Sequence, residues 1–81
     1  MKVAVMFFAV TRELTGHDLL EIDLPEGSTT AHLLEHLLRE HPRLFPWKPY
    51  LRTAVNRSYV AGDARLADGD EVALIPPVSG G

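Results

Sequence analysis

The first apolar block of the chain, Val3-Ala4-Val5-Met6-Phe7-Phe8-Ala9-Val10, is hydrophobic at odd and even positions alike. A strand apolar on both alternating faces is either sandwiched in a core or central with one face turned to a partner. Arg12-Glu13-Leu14-Thr15-Gly16 then reads as a short helical turn stopped by glycine. Leu20, Ile22 and Leu24 alternate with Glu21 and Asp23, which predicts a half-buried strand, and Pro25-Glu26-Gly27 breaks it. Ser28 or Thr29 is placed to cap a helix that starts near Thr30. Its predicted apolar stripe is Leu34, Leu37 and Leu38 with Ala31 behind them, and Glu35, Arg39 and Glu40 fall mostly off it. Pro42 predicts a stop near His41.

Arg43 to Tyr50, which includes Pro46, Trp47 and Pro49, predicts an irregular crossing. Thr53-Ala54-Val55-Asn56 and Tyr59-Val60-Ala61 flank Arg57-Ser58, the pattern of a tight strand reversal. Gly62-Asp63 and Asp68-Gly69-Asp70 carry turn chemistry, with Leu66 as a buried plug between them. Glu71 to Ile75 is the last predicted strand, and Pro76-Pro77 stops it.

This order of elements predicts an α+β fold, with a mixed β-sheet and one main helix packed on one face. It fits the β-grasp, or ubiquitin-like, architecture, with a domain over residues 1–76 and a flexible C-terminal tail over 77–81. By analogy with that fold, the first and last strands are adjacent, central and parallel. Phe7, Phe8, Trp47 and Tyr59 are each expected in the core rather than at a contact. A first strand apolar on both faces nevertheless exceeds what one helix covers. The sheet face away from the helix is therefore expected to dock onto partners.

Composition narrows the chemistry. A chain of 81 residues has room for one core and buries roughly 60–65% of its extended surface, so a deep substrate cavity is not expected. There is no cysteine, which removes disulfides, thiolate metal sites and a cysteine-borne persulfide. The formal charge is −3 and the arginines (12, 39, 43, 52, 57 and 65) are scattered, which argues against a nucleic-acid partner. No apolar run approaches the ~20 residues that a membrane span needs, and the cytoplasm is the expected compartment.

Among side chains, His32-Leu33-Leu34-Glu35-His36 matches an H-x-x-E-H zinc-peptidase pattern, but a third ligand and a cleft are not evident. A solvated helix face with two ordinary histidines is the preferred reading, and His17 and His41 are expected at the surface. No metal or cofactor is expected on the chain itself. The C-terminus is more informative. Pro76-Pro77 ends sheet pairing, and five residues from Pro77 reach roughly 16 Å when extended. Without a Cβ at Gly80 or Gly81, such a tail is thin enough to thread a narrow channel. A terminal carboxylate at Gly81, whose ordinary pKa is about 3.5, would be ionised at neutral pH. It could attack the α-phosphate of ATP, giving an acyl-adenylate open to a sulfur nucleophile. The product, a thiocarboxylate, lets a protein without thiols hold sulfur.

The run Leu66-Ala67-Asp68-Gly69-Asp70-Glu71-Val72-Ala73-Leu74-Ile75-Pro76-Pro77-Val78-Ser79-Gly80-Gly81 resembles the C-terminal signature of the molybdopterin synthase small subunit. Val55-Asn56, and Phe8-Ala9 with Arg12-Glu13-Leu14 and Gly16, are similar to further parts of that family. Thr11 departs from an apolar preference, and Arg57-Ser58 replaces a frequent turn. The resemblance implies that Gly81 is adenylated by an ATP-dependent activating enzyme and loaded by a sulfurtransferase, with Gly80 as its slender neighbour. It also implies a large-subunit partner, in a heterotetramer, where the tail gives sulfur to cyclic pyranopterin monophosphate. Thiazole or tRNA thiolation, and a protein modifier joined to lysines through Gly81, are the alternatives. Pro76-Pro77-Val78-Ser79 favours the molybdopterin pathway over thiazole.

Overall fold

Val3, Val5 and Phe7 are buried while Ala4 and Met6 between them are half-buried, so the first apolar block becomes a central strand. The computed structural model describes residues 1–77. This strand, β1, spans Lys2–Phe7 and is followed by helix α1 (Val10–Thr15), strand β2 (Leu19–Asp23) and helix α2 (Thr30–Glu40). A 3₁₀ segment (Pro42–Tyr50) leads into strands β3 (Arg52–Val55), β4 (Ser58–Tyr59) and β5 (Glu71–Ile75). The sheet order is β2-β1-β5-β3-β4. Strands β1 and β5 are parallel neighbours at its centre, and the other pairings are antiparallel. That is the expected β-grasp.

The core lies between one face of the sheet and α2. Val3, Val5, Phe7, Ile22, Val72 and Leu74 meet Leu33, Leu37 and Leu38, while Leu44 and Leu66 close the two ends. Leu66 is the buried plug that its flanking turns suggested. The helix stripe needs correction. Its buried residues are Thr30, Leu33, Leu37 and Leu38, whereas Leu34 is half-buried and Ala31 is exposed. Two adjacent leucine pairs, 33–34 and 37–38, leave the phase of the stripe open, and packing selects Leu33.

Strand β1 stops at Phe7 instead of running to Val10, because a turn carries Phe8 out to an exposed position. The crossing from 42 to 50 is also more regular than expected. Prolines lack the N–H that a helix interior needs, yet short i→i+3 turns accommodate them. Leu44 N–H donates to His41 O (3.0 Å) at one end, and Leu51 N–H to Lys48 O (3.3 Å) at the other. The strand reversal falls one residue earlier than expected, at Asn56-Arg57. Both have positive φ (50° and 71°), as a two-residue type I′ hairpin requires, and Val55 pairs with Ser58 across it. The Asn56 amide fixes this turn to the start of β5, accepting from Glu71 N–H and donating to Asp70, both at 3.0 Å.

Candidate functional site: the open sheet face and the root of the tail

Gly80 and Gly81, the site residues indicated by the sequence, lie outside the described residues. The strand that leads to them is described, and it is held firmly. Val72 and Leu74 are buried against α2, and β5 is paired on both sides. Leu74 is the last residue in register with β1, opposite Phe7, and Ile75 the last in register with β3, opposite Arg52. Pro76 follows at once, and pairing stops where the N–H donors stop.

Thr11 supports this root in a way the sequence did not reveal. Its side chain is fully buried, and its Oγ1 accepts from Phe8 N–H at 2.9 Å. The same hydroxyl lies 2.7 Å from Phe8 O and 3.3 Å from Leu74 O, the two carbonyls to which it can donate. An apolar residue would leave the Phe8 amide without this partner, so the hydroxyl at this position has a structural use. Nearby, Ala9 has a positive φ (φ 48°, ψ −121°), a backbone conformation uncommon for a residue that carries a Cβ. Thr11 N–H donates to Phe8 O across this tight turn (3.0 Å). Strain of this kind is held only where surrounding contacts fix it, and here it borders the exit of β5.

The face of the sheet away from α2 is open. Its register gives one continuous row across all five strands: Leu19, Met6, Ala73, Ala54 and Tyr59. Leu19 and Tyr59 at the two edges are 54% and 66% exposed. Phe7 is in the core as expected, but Phe8 and Tyr59 are exposed and Trp47 is half-buried. Small residues in the middle of the row make it shallow and leave room for a partner's side chains. Beyond it, next to the tail, lies an open groove of ≈ 650 Å³ lined by Tyr50, Arg52, Tyr59, Ile75, Pro76 and Pro77, among others.

The histidines have other roles. His32 Nδ1 accepts from Thr29 N–H (3.0 Å) while Thr29 Oγ1 accepts from His32 N–H (3.4 Å), a reciprocal cap on α2. Asp63 adds to it, accepting from Ala31 N–H (2.9 Å) and Thr30 Oγ1 (3.1 Å). The Ala31 amide above all holds the Asp63 carboxyl below the usual carboxylate range, against an opposing effect of desolvation, and the hydroxyls of Thr29 and Thr30 and the nearby His32 add to it. Among the described residues no group of three or more His, Asp or Glu side chains is arranged to hold a metal ion. His17 is exposed and His41 half-buried, and their rings meet edge to face at 6.0 Å. Burial first, then the proximity of His17 and His36, lowers the pKa of His41 below the usual histidine value, against the pull of Glu40. No helix among the described residues is long and apolar enough to cross a membrane.

Comparison with known proteins gives this geometry a context. The ThiS family model matches residues 5–81. The molybdopterin synthase sulfur carrier subunit of Escherichia coli is 42% identical over 83 residues, covering 98% of this chain and 99% of that protein. The small archaeal modifier protein 1 of Methanosarcina acetivorans superposes with a TM-score of 0.82 at 26% identity, covering 99% of this chain and 96% of that one. A chain in the complex of subunits 1 and 2 of the molybdopterin-converting factor from Helicobacter pylori superposes with a TM-score of 0.70 at 28% identity, with both chains fully covered.

Proposed function

The chain belongs to the ThiS family, alongside molybdopterin synthase sulfur carrier subunits, and from that membership we propose that it carries sulfur as a thiocarboxylate on Gly81. The observation that carries this reading is the end-to-end likeness to the sulfur carrier subunit of Escherichia coli, 42% identical with 99% of that protein covered. The tail sequence Pro76-Pro77-Val78-Ser79-Gly80-Gly81 supports it further, since the chain has no cysteine on which to hold sulfur.

The chemistry needs no catalytic side chain from the carrier. In the activating enzyme, the Gly81 carboxylate attacks the α-phosphate of ATP and displaces pyrophosphate. Sulfur at the sulfide level, supplied through a sulfurtransferase and a thiol reductant, then attacks the acyl carbon. The C–S bond forms as the bond to the AMP phosphate oxygen breaks, AMP leaves, and a thiocarboxylate remains. The loaded tail enters the large subunit of the synthase, where sulfur passes to cyclic pyranopterin monophosphate. Two donations build a dithiolene. The body of the carrier acts as a handle: β5 holds the root of the tail, and the row from Leu19 to Tyr59 offers a surface for the large subunit. The Helicobacter pylori complex supports a large-subunit partner.

A reconstituted synthase tests the reading. Wild-type carrier, loaded and mixed with the large subunit and the pterin precursor, is expected to yield molybdopterin. Gly80→Val is expected to fold equally well and to lose product formation, because a β-branched side chain does not fit a channel shaped for glycine. Full activity of Gly80→Val would contradict the channel, and no product from the wild type would contradict the pathway. A second reading, a modifier joined to lysines through Gly81, draws on the likeness to the small archaeal modifier protein 1. Carrier-sized adducts on other proteins after incubation with the activating enzyme and ATP would favour that reading.

A further inference from the structure

The open face is electrically graded along the direction of β5, and the grading has a basic end beside the tail. Successive cross-strand rows can be read from the register. Lys2 stands opposite Asp23, followed by Glu21, Ala4 and Glu71, and then the apolar row of Leu19, Met6, Ala73, Ala54 and Tyr59. The last row joins Ile75 to Arg52. Arg52 is thus the charged member of the row nearest Pro76. It stands on the order of 13 Å from the row of Glu21 and Glu71, four strand residues away.

Arg52 is exposed, and among the described residues its side chain makes no hydrogen bond or ion pair. It lines the groove at the tail root together with Tyr50, Tyr59, Ile75 and Pro77. Those neighbours are apolar or aromatic, so a partner seated there would remove water from the guanidinium and strengthen any pairing with it. A planar guanidinium among tyrosines is the composition that dominates binding energy in protein interfaces, and it matches a carboxylate two bonds at a time. General attraction does not explain such a pairing, because the chain as a whole carries −3 and repels acidic surfaces.

Resting on the reading of this face as the dock for the large subunit, we propose that Arg52 takes a carboxylate of that subunit beside the opening that receives the tail. The pairing sets direction. The far end carries Asp23, Glu21 and Glu71 against Lys2 and Arg57, three acidic groups to two basic. With a cation at the tail end, a complementary surface therefore docks one way round, and the tail meets the opening. Reversed docking would bring like charges together at both ends.

Titration calorimetry of the full-length carrier against its large subunit, at about 50 mM and about 500 mM salt to vary the screening, tests the proposal. Arg52→Glu is expected to weaken binding on the order of 100-fold at low salt, and Arg52→Leu about tenfold. High salt should shrink the gap between wild type and Arg52→Glu. Arg57→Glu makes the same charge change at the hairpin turn, at the opposite end of β3, and is expected to stay within about twofold of wild type. Thermal melting of each variant checks that it is folded. Arg52→Glu binding within about twofold of wild type would overturn the proposal, as would an equal loss in Arg57→Glu. In either case the sulfur-carrier reading would stand. Failure of the wild type to bind the large subunit at all would overturn both.

Discussion

Val5 and Met6 are consecutive in β1, yet Val5 is fully closed against the helix side while Met6 is half-exposed on the open face. The same division runs along β5, where Val72 and Leu74 are buried and Ala73 and Ile75 are not. The inner face is filled by branched and aromatic side chains that pack against α2, leaving between them a void of only ≈ 10 Å³ lined by Val5, Leu33, Leu37, Val72 and Leu74, among others. The outer face is shallow at its centre, where Ala4 and Ala73 are only half-buried and leave room for side chains from another molecule. One sheet thus carries its packed core on one side and the proposed docking surface on the other, one residue apart along each central strand.

The largest effects should follow that division. Leu37→Ala opens a cavity beneath α2 and is expected to cost about 2–5 kcal/mol in denaturant unfolding. That is a large share of the roughly 4–12 kcal/mol available to a chain of this size. Met6→Asp, on the other face, is expected to change stability by less than about 1 kcal/mol while abolishing large-subunit binding. Unfolding of Met6→Asp, or binding that survives it, would break the comparison.

Thr11→Val comes next, because it tests whether the root of the tail depends on a buried hydroxyl. Loss of the bonds to Phe8, and of the reach to Leu74 O, is expected to cost about 1–3 kcal/mol, read as a lower Tm. Arg57→Gly should act in the opposite direction. It relieves a positive φ at a hairpin on the rim of the sheet and is expected to stabilise by about 0.5 kcal/mol without altering partner affinity.

The smallest effect is one of pH. His41 has a lowered pKa in the folded state, so between that value and the unfolded value near 6.5 the unfolded chain binds more protons. Stability is then fully present above pH 6.5 and falls as the solution is acidified through that window. His41→Gln should flatten this slope in unfolding curves collected from about pH 7.5 down to about pH 5, leaving the sheet face unaffected.

Much of this division is legible in the sequence. The two-sided apolar block announces a central strand with a face to spare, and Leu20, Ile22 and Leu24 fix the face of β2 through their alternation. The diglycine tail after Pro76-Pro77 suggests a slender, activatable carboxylate, and the resemblance of the run from Leu66 to Gly81 to the molybdopterin synthase small subunit supplies the rest of the candidate chemistry. What stays hidden depends on contacts between distant segments. Leu33 and Leu34 are equal on hydrophobicity, and the position of α2 over the sheet decides between them. The turn at Asn56-Arg57 is set by the Asn56 bridge to Asp70 and Glu71, which pattern alone does not contain. Phe8 and Tyr59 look like core by composition and are exposed because tight turns or an edge strand carry them out. Arg52 looks like one scattered arginine among six until the register sets it opposite Ile75.

Gly81 is the centre of the proposed chemistry, and intact mass spectrometry tests its role most directly. After incubation with the activating enzyme, ATP and a sulfur source, the wild-type chain is expected to gain about 16 Da, as one oxygen is exchanged for sulfur. The chain lacking Gly81 is expected to fold normally and to gain nothing. A wild type of unchanged mass, or a truncated chain that still takes up sulfur, would contradict the account.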